Sequence, residues 1–465
     1  MADLDREDVL IADPLAAPQS NARRSGPWAW LAAVGRWSAP LIFLAVGLTV
    51  TLWPPYTNSP PIRSDGLGYH AWTRAILDRN LDFCRFSTEL DLVAAIPHTA
   101  TGASTCANKY PPGLALLRFP VMAPFTAANH GKLRSPAEDF VNQLCSLAAG
   151  TVAVALMVAA ARRLDVASWI ANTSASFIAF GTGLFHFSTY DSSFSHAYLA
   201  MLVAYFCYVF CRWFRPRSSR VPHVAPPAAV VVASGIAAFF LVSIRLTSIL
   251  ILLPALAWLA LRAMGRRSTR RETIVFTASI LAGTFVAIVM QMAYNHHAFG
   301  MWTISSYQGE ALTLSNHNQL RVLLSFQKGL FTWYPIVGVC FLAAVATRSW
   351  RGLGVLLAHT LPFTLLYGFW HAWNLSGGFG HRGFVDVAPV YGVVLAGCLS
   401  QAKPWILRGT ILLGTASVIL SLGLMVAYWE GVISFVGTTR SEWRTYAIGS
   451  KSFIPWLIRH ISGTA

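Results

Sequence analysis

Charged residues are scarce in this sequence. Only 12% of its 465 residues are Asp, Glu, Lys or Arg, whereas 55% are hydrophobic, and the mean hydropathy is +0.51. About a quarter of the residues of a soluble domain are charged. The composition therefore excludes an ordinary soluble protein and indicates a polytopic membrane protein.

Several other features are absent. No internal repeat of fixed period and no low-complexity tract is evident. No pair of histidines has the i, i+4 spacing of a helical zinc site, so the sequence indicates no certain cofactor, and a divalent metal ion is an open alternative that it does not indicate. No small-residue cleavage site follows a basic segment near residue 37, so we expect the first apolar segment to be an uncleaved membrane span.

What the sequence has is a series of long apolar segments, and they predict an all-α fold with about 11 transmembrane helices. Segments 226–243 and 247–262 could instead form one bent hairpin pair. Segment 113–128 is apolar but contains Pro120 and Pro124, so we expect a re-entrant or interfacial element there. The predicted spans are 38–55, 140–161, 167–187, 196–212, 226–243, 247–262, 274–293, 330–346, 353–370, 384–401 and 407–428.

Basic residues follow the topology of a membrane protein and not the pattern of a nucleic-acid-binding surface. The chain has 35 Lys and Arg against 19 Asp and Glu, and the basic residues cluster in every second loop. Basic loops stay in the cytoplasm. We therefore expect a cytoplasmic N-terminus, an outward working face and location in a bacterial inner membrane. The clusters include Arg162 and Arg163, Arg212 to Arg220, Arg262 to Arg271, Arg348 and Arg351, and Lys403 and Arg408.

This topology divides the chain into three parts. Residues 1–37 form a cytoplasmic and largely disordered N-terminus. Residues 38–430 form one transmembrane domain, whose large first outer loop (56–139) carries short helices. Residues 431–465 form an outer tail.

Asp65 is the first candidate for chemistry. It follows the first span, stands beside Gly66 and precedes a predicted helix that contains Tyr69. A carboxylate in this position could take a proton from an acceptor hydroxyl as a general base. Alternatively, Asp65 could cap the helix by accepting backbone N–H bonds.

Three cations are candidates for binding phosphate. Lys109 precedes two prolines, and its ammonium could bind phosphate or extend to the membrane interface. Arg245 is the only Lys, Arg, Asp or Glu residue between 221 and 261, and it needs an anionic partner, either a lipid phosphate or an internal aspartate such as Asp191 or Asp386. Arg382 lies in a glycine-rich segment that allows close approach of a ligand.

Further outer-loop residues are candidates for substrate binding. Asp191 and His196 lie at the two ends of a short polar turn, where they could orient an acceptor, or Asp191 could cap the next helix. Aromatic residues in the other outer loops could stack on a sugar or form an interfacial belt. The remaining candidates in those loops are Tyr307, Gln308, Glu310, Lys328 and Trp373.

Cys84 and Cys106 share the first outer loop, whereas the other five cysteines lie in or beside apolar segments. Because an outer compartment is oxidising, we expect a disulfide between Cys84 and Cys106.

The order of these motifs resembles that of the polytopic GT-C glycosyltransferases, a superfamily that includes protein O-mannosyltransferases and the lipid A aminoarabinose transferase. Asp65 and Tyr69 keep the spacing of a family motif that follows the first span. The segment Lys109-Tyr110-Pro111-Pro112-Gly113-Leu114 is similar to the family's Lys-Pro-Pro-Leu, with one residue inserted. Gly66 stands where many members have a second carboxylate, which puts metal use in doubt.

The resemblance implies an inverting transfer of one sugar from a polyprenyl-phosphate donor at the outer leaflet. Asp65 would be the base, and Lys109, Arg245 and Arg382 would hold the departing phosphate. The acceptor would be a lipid, a polysaccharide or a protein. Two other classes remain open: a transporter or flippase of a lipid-linked anion, and a non-catalytic scaffold of envelope assembly. The clustering of charge on one face and the lack of a repeat count against a transporter.

Overall fold

The computed structural model describes residues 35–54, 61–86, 95–97, 106–129, 132–214, 225–265, 270–306, 310 and 312–462. This part of the chain is mostly helical, which confirms the predicted all-α membrane fold. The helices are α1 (Ser38–Leu52), α2 (Asp65–Leu77), α3 (Gly113–Ala128), α4 (Pro136–Arg162), α5 (Ser168–Gly181), α6 (Leu184–Thr189), α7 (His196–Val209), α8 (Ala228–Ile244), α9 (Ile249–Gly265), α10 (Arg270–Phe299), α11 (Gln319–Leu324), α12 (Leu330–Trp333), α13 (Pro335–Ala346), α14 (Trp350–Phe369), α15 (Ala388–Ser400), α16 (Pro404–Trp429), α17 (Arg440–Ala447) and α18 (Phe453–Ser462).

Each of the predicted spans corresponds to helical structure, but the number of full-length spans is smaller than expected. Among the described residues, six helical segments are long and apolar enough to cross a membrane by length and composition. They are Pro136–Arg162, His196–Phe214, Leu246–Met264, Arg270–Phe299, Trp350–Phe369 and Pro404–Trp429. The shorter apolar helices are α1, α3, α8, α13 and α15.

Two predicted spans are interrupted. Segment 167–187 divides into α5 and α6 at Thr182, which has an extended backbone, and Gly183. A Cβ atom on Gly183 would lie 2.7 Å from the hydroxyl of Tyr334, so glycine at the break lets this side chain approach closely. Segment 330–346 divides into α12 and α13 at Tyr334, just before Pro335 begins the second helix. A residue that precedes proline is disfavoured in the helical conformation.

Segment 113–128 forms one continuous helix, α3, although Pro120 and Pro124 lie inside it. The prolines do not interrupt the helix, and the expectation of a re-entrant or interfacial element stays a prediction. Proline removes one backbone hydrogen bond but is tolerated in helices packed against neighbours in a membrane protein. Segments 226–243 and 247–262 form two helices, α8 and α9, joined through extended Arg245 and a 3-10 turn at Leu246–Ser248.

The first outer loop contains α2, a 3-10 turn (Cys84–Phe86) and a small antiparallel ladder between β1 (Ala95–Pro97) and β2 (Cys106–Asn108), which the sequence did not predict. Cys84 and Cys106 form a disulfide with their Cα atoms 4.7 Å apart. The ladder and the disulfide together tie the middle of the loop to the segment that carries Lys109.

Polar side chains at the start of α4 hold the turn between α6 and α7. The helix begins at Pro136 after Ser135, whose hydroxyl accepts from the backbone N–H of Glu138. On the next turns, Gln143 donates to the carbonyl of Thr189 at 2.9 Å, and Ser146 donates to the carbonyl of Phe187 at 2.9 Å. These bonds fix the backbone that leads into the start of α7.

Candidate functional site

A cavity of about 590 Å³ lies where the ends of several helices meet. Its wall is formed by the start of α2, the segment after β2, the start of α7, the turn between α8 and α9, and the loop that follows α14. It has both apolar and charged walls, which suits a ligand with an apolar part and an anionic part. The predicted site residues that line it are Asp65, Tyr69, Lys109, His196, Arg245, Glu310 and Arg382.

Asp65 is the first residue of α2, and its carboxylate faces this cavity. Tyr110 donates its hydroxyl proton to Oδ1 at 2.8 Å, and Arg382 donates from Nη1 to Oδ2 at 2.6 Å. Both carboxylate oxygens are therefore used by side chains from distant parts of the chain. Ser64 is the N-cap residue of α2 and its side chain makes no capping bond. The alternative reading of Asp65 as a simple helix cap does not fit this geometry.

These contacts decide the protonation state of Asp65. Burial by itself raises the pKa of the carboxyl group, but the Arg382 guanidinium and the Tyr110 hydroxyl together hold the pKa below its ordinary value. Asp65 is thus a carboxylate at neutral pH, and it accepts a proton weakly while Arg382 remains its partner.

The backbone around Asp65 is held in place by the turn between α6 and α7. Ser64 has a positive φ of 47°, which a residue with a side chain adopts only under constraint. Next to it, the N–H of Arg63 donates to the hydroxyl of Ser193 at 3.3 Å. A Cβ atom on Gly66 would lie 1.9 Å from the same hydroxyl, so only glycine allows this approach.

Lys109 and Glu310 form an ion pair on the cavity wall, with Nζ 2.9 Å from Oε1. The side chains are 15% and 26% exposed, so the pair remains accessible from the cavity. Ser306 donates to the carbonyl of Lys109, which fixes the backbone behind the ammonium.

Arg245 points to Asp386, and the distance from Nη1 to Oδ2 is 3.3 Å. The structure therefore contains the internal ion pair that the sequence left open as one of two alternatives. The other oxygen of Asp386 lies 2.7 Å from Nδ1 of His196. Arg245 and His196 both line the cavity, whereas Asp386 is buried behind them.

Tyr69 lies one turn after Asp65 in α2 and is buried at the cavity wall. Its ring is 5.0 Å from the ring of Tyr110. Trp370 and His371 also line the cavity, with their rings 5.1 Å apart, and add aromatic surface to its wall.

The structure places three of the predicted residues away from the cavity wall. Asp191 is buried, where it pairs with Arg63 at 2.6 Å and with His186 at 2.7 Å, so it does not cap α7. Lys328 is buried and donates to the backbone carbonyls of Ser376 and Phe435. Trp373 accepts a hydrogen bond at its carbonyl from His381 and is not among the lining residues. Tyr307 and Gln308 lie outside the described residues.

One residue of the site, Tyr110, and one contact, that of Asp386 with His196, were not predicted from the sequence. Tyr110, which binds Asp65, lies inside the Lys109 motif, and Asp386, which binds His196, lies four residues after Arg382. Both belong to segments that the sequence singled out. Only the three-dimensional structure shows that their side chains meet partners 45 and 190 residues away.

Within the described ranges, one group of potential metal ligands is formed by Asp82, Cys84 and Cys106. Both sulfur atoms belong to the disulfide. The Asp82 carboxylate accepts the backbone N–H groups of Cys84 and Cys106 at 2.9 and 3.0 Å. These residues are thus occupied by the fold and do not form a metal site.

No protein-family model matches the chain, and no curated protein matches its sequence. Among solved structures, it is similar to ArnT from Cupriavidus metallidurans in the apo state. The TM-score is 0.49 and the identity 16%, over 90% of this chain and 69% of that one. A similarity of this level assigns neither an activity nor a site residue to the present chain.

Proposed function

We propose that this protein is a membrane glycosyltransferase that moves one sugar from a polyprenyl-phosphate donor to an acceptor at the outer face of the membrane. The observation that carries the proposal is one cavity in which the Asp65 carboxylate stands beside three cations, Lys109, Arg245 and Arg382. The apolar part of the wall suits a lipid chain, the cations suit its phosphate, and the aromatic surface suits a sugar.

Each cation of the cavity already has a carboxylate partner. Lys109 pairs with Glu310, Arg245 with Asp386, and Arg382 with Asp65. The walls are therefore nearly charge-balanced before a ligand binds. A phosphate that enters would share these cations, as charge-assisted hydrogen bonds to guanidinium and ammonium groups allow.

Cations held in a partly dry cavity would stabilise the negative charge that develops on the departing phosphate. This kind of electrostatic stabilisation is often the largest contribution to an enzyme's rate. Lys109 and Arg382 are suited to this role because both side chains line the cavity and are 15% and 12% exposed.

Asp65 would face the anomeric carbon, where positive charge develops in a glycosyl-transfer transition state. An ionised carboxylate stabilises that charge. The assignment of Asp65 as the general base stays a prediction, and its lowered pKa disfavours it.

Mass spectrometry of lipids and glycans from a deletion strain tests the proposal. We expect the deletion strain to lack one sugar on a lipid, polysaccharide or protein, and wild-type protein to restore it.

Asp65→Asn keeps the size of the side chain but loses its charge, so we expect at least about a 100-fold loss of product. Asp78→Asn is the matched control, because Asp78 ends the same helix and pairs with Arg85 away from the cavity.

Identical lipid and glycan profiles with and without the gene would contradict the proposal. A transporter is distinguished by purified protein in detergent, incubated with synthetic short-chain polyprenyl-phosphate sugars and the acceptor fraction. A transferase releases polyprenyl phosphate without its sugar, whereas a transporter leaves these lipids chemically unchanged.

A further inference from the structure

Two sets of Arg, Asp and His side chains lie inside the described part of the protein. They differ in whether both ring nitrogens of the histidine have a hydrogen-bond partner. The first set is Arg63, Asp191 and His186. Arg63 binds Oδ1 of Asp191 through Nε and Nη2, at 2.9 and 2.6 Å, and His186 Nε2 lies 2.7 Å from Oδ2. The indole N–H of Trp429 donates to His186 Nδ1 at 2.9 Å. Both ring nitrogens of His186 are therefore occupied by the fold.

The second set is Arg245, Asp386 and His196. Asp386 accepts from Arg245 at 3.3 Å, and its other oxygen lies 2.7 Å from His196 Nδ1. A carboxylate beside Nδ1 places the ring proton on that nitrogen, which leaves a lone pair on Nε2. Within the residues that the structure covers, Nε2 has no hydrogen-bond partner, and the ring lines the cavity.

The position of the His196 ring is fixed by its neighbours. The rings of Phe187 and Phe194 lie 4.5 and 6.3 Å from it, centre to centre. The guanidinium of Arg382 lies over the ring of Phe194 at 5.2 Å, and the same guanidinium binds Asp65. Phe194 thus lies beside both His196 and the guanidinium that pairs with Asp65, and all four residues line the cavity.

We propose that His196 is the general base of the transfer and that Asp386 is its positioning residue. The inference rests on the proposed function. In the step, the acceptor hydroxyl gives its proton to Nε2 of His196 while its oxygen forms a bond to the anomeric carbon. The bond between that carbon and the phosphate oxygen breaks, and the electron pair leaves with the phosphate. Asp386 balances the charge of the imidazolium, which returns its proton to water after the products leave.

This assignment divides the work between two residues with different surroundings, a carboxylate and an imidazole. Asp65 is bound by Arg382 and Tyr110 and stays ionised, so it suits the stabilisation of positive charge at the sugar. His196 lines the cavity, its Nε2 has no hydrogen-bond partner among the described residues, and a carboxylate lies behind Nδ1, which is the arrangement of an activated histidine.

The test is His196→Ala in native membranes of the deletion strain, which contain the donor and the acceptor. We expect transfer to fall by about 10²- to 10⁴-fold, as for the loss of a general base. Added imidazole should enter the vacated space and supply the missing base. We expect it to raise the transfer rate of the variant at least about tenfold. Binding of undecaprenyl phosphate to the purified variant should match that of wild type.

His186→Ala is the matched control, because it removes the histidine of the other set, which does not line the cavity. It should show no response to imidazole, whatever its effect on stability.

Asp386 is tested by a double variant. If Asp386 acts through His196, then His196→Ala with Asp386→Asn loses no more transfer than His196→Ala alone.

Transfer within about tenfold of wild type in His196→Ala would overturn the base assignment and leave the proposed function intact. So would a variant that binds undecaprenyl phosphate normally but does not respond to imidazole. Membranes in which the wild-type protein itself makes no product would overturn the proposed function, and this inference with it.

Discussion

Asp191 lies inside the protein with 2% of its side chain exposed, where an unpaired carboxylate would be costly. Burial raises the pKa of its carboxyl group, but Arg63 and His186 outweigh this effect and hold the pKa well below its ordinary value. The same contacts fix the turn between α6 and α7, which holds the backbone of Asp65 through Ser193. A residue outside the cavity thus supports the geometry inside it.

The lowered pKa of Asp191 predicts how stability depends on pH. The unfolded chain binds the proton near pH 3.9, whereas the folded protein binds it only at lower pH. The contribution of Asp191 is therefore complete above about pH 4 and is lost as the pH falls further. Asp191→Asn should be less stable at pH 7 and should lose less stability between pH 5 and pH 3. Thermal unfolding in detergent measures both, and equal pH dependence in the two proteins would contradict the prediction.

At the residue scale, the sequence singled out several charges that line the cavity but did not show which charges meet. Asp65, Lys109, Arg245 and Arg382 could be identified because charge is rare here and each stands at the end of an apolar segment. Their partners could not be identified, since Arg382 is 317 residues from Asp65 and Glu310 is 201 from Lys109. For Asp191, Lys328 and Trp373, the sequence could not show that packing directs the side chains away from the cavity.

At the scale of helices, close packing of α8 against α10 sets the position of Arg245, which ends α8. Gly235 and Gly283 face each other, and Ser279 donates its hydroxyl proton to the carbonyl of Val231 at 2.7 Å. Small residues let helix backbones approach closely in membrane proteins. The length of the apolar segments predicted both helices. It did not predict their contact, because every side of these segments is apolar.

Gly283→Ala should force these two helices apart. Its Cβ atom would lie 1.9 Å from the carbonyl oxygen of Gly235, which is backbone and cannot turn away. We expect a loss of about 1–3 kcal/mol in the free energy of unfolding, typical of overpacking, and a lower thermal midpoint in detergent. Gly409→Ala is the control, because nothing lies within 4 Å of the added atom and alanine favours a helix. An unchanged midpoint for Gly283→Ala would show that the helices can separate without cost.

At the scale of the whole molecule, the two ends of the bundle have different chemistry. The cavity is built from the start of α2 and α7, the ends of α8 and α14, and the loops beside them. The basic clusters lie at the opposite helix ends, for instance Arg162 at the end of α4 and Arg408 near the start of α16. Because basic loops stay in the cytoplasm, this separation predicts that the cavity opens on the outer side.

The disulfide provides a test of this orientation, since Cys84 and Cys106 belong to the loop on the cavity side. In a variant without the other five cysteines, we expect no labelling of intact cells by a membrane-impermeant maleimide before reduction. After treatment with an impermeant phosphine, both cysteines should be labelled from outside, because the reductant reaches the disulfide without crossing the membrane. The matched control replaces exposed Gln401, between α15 and α16, by cysteine in a variant that also lacks Cys84 and Cys106. It should be labelled only after the cells are permeabilised. Labelling of Gln401→Cys in intact cells, together with no labelling of Cys84 and Cys106 in the first variant after the phosphine, would place the cavity on the cytoplasmic side and exclude an outward-facing transferase.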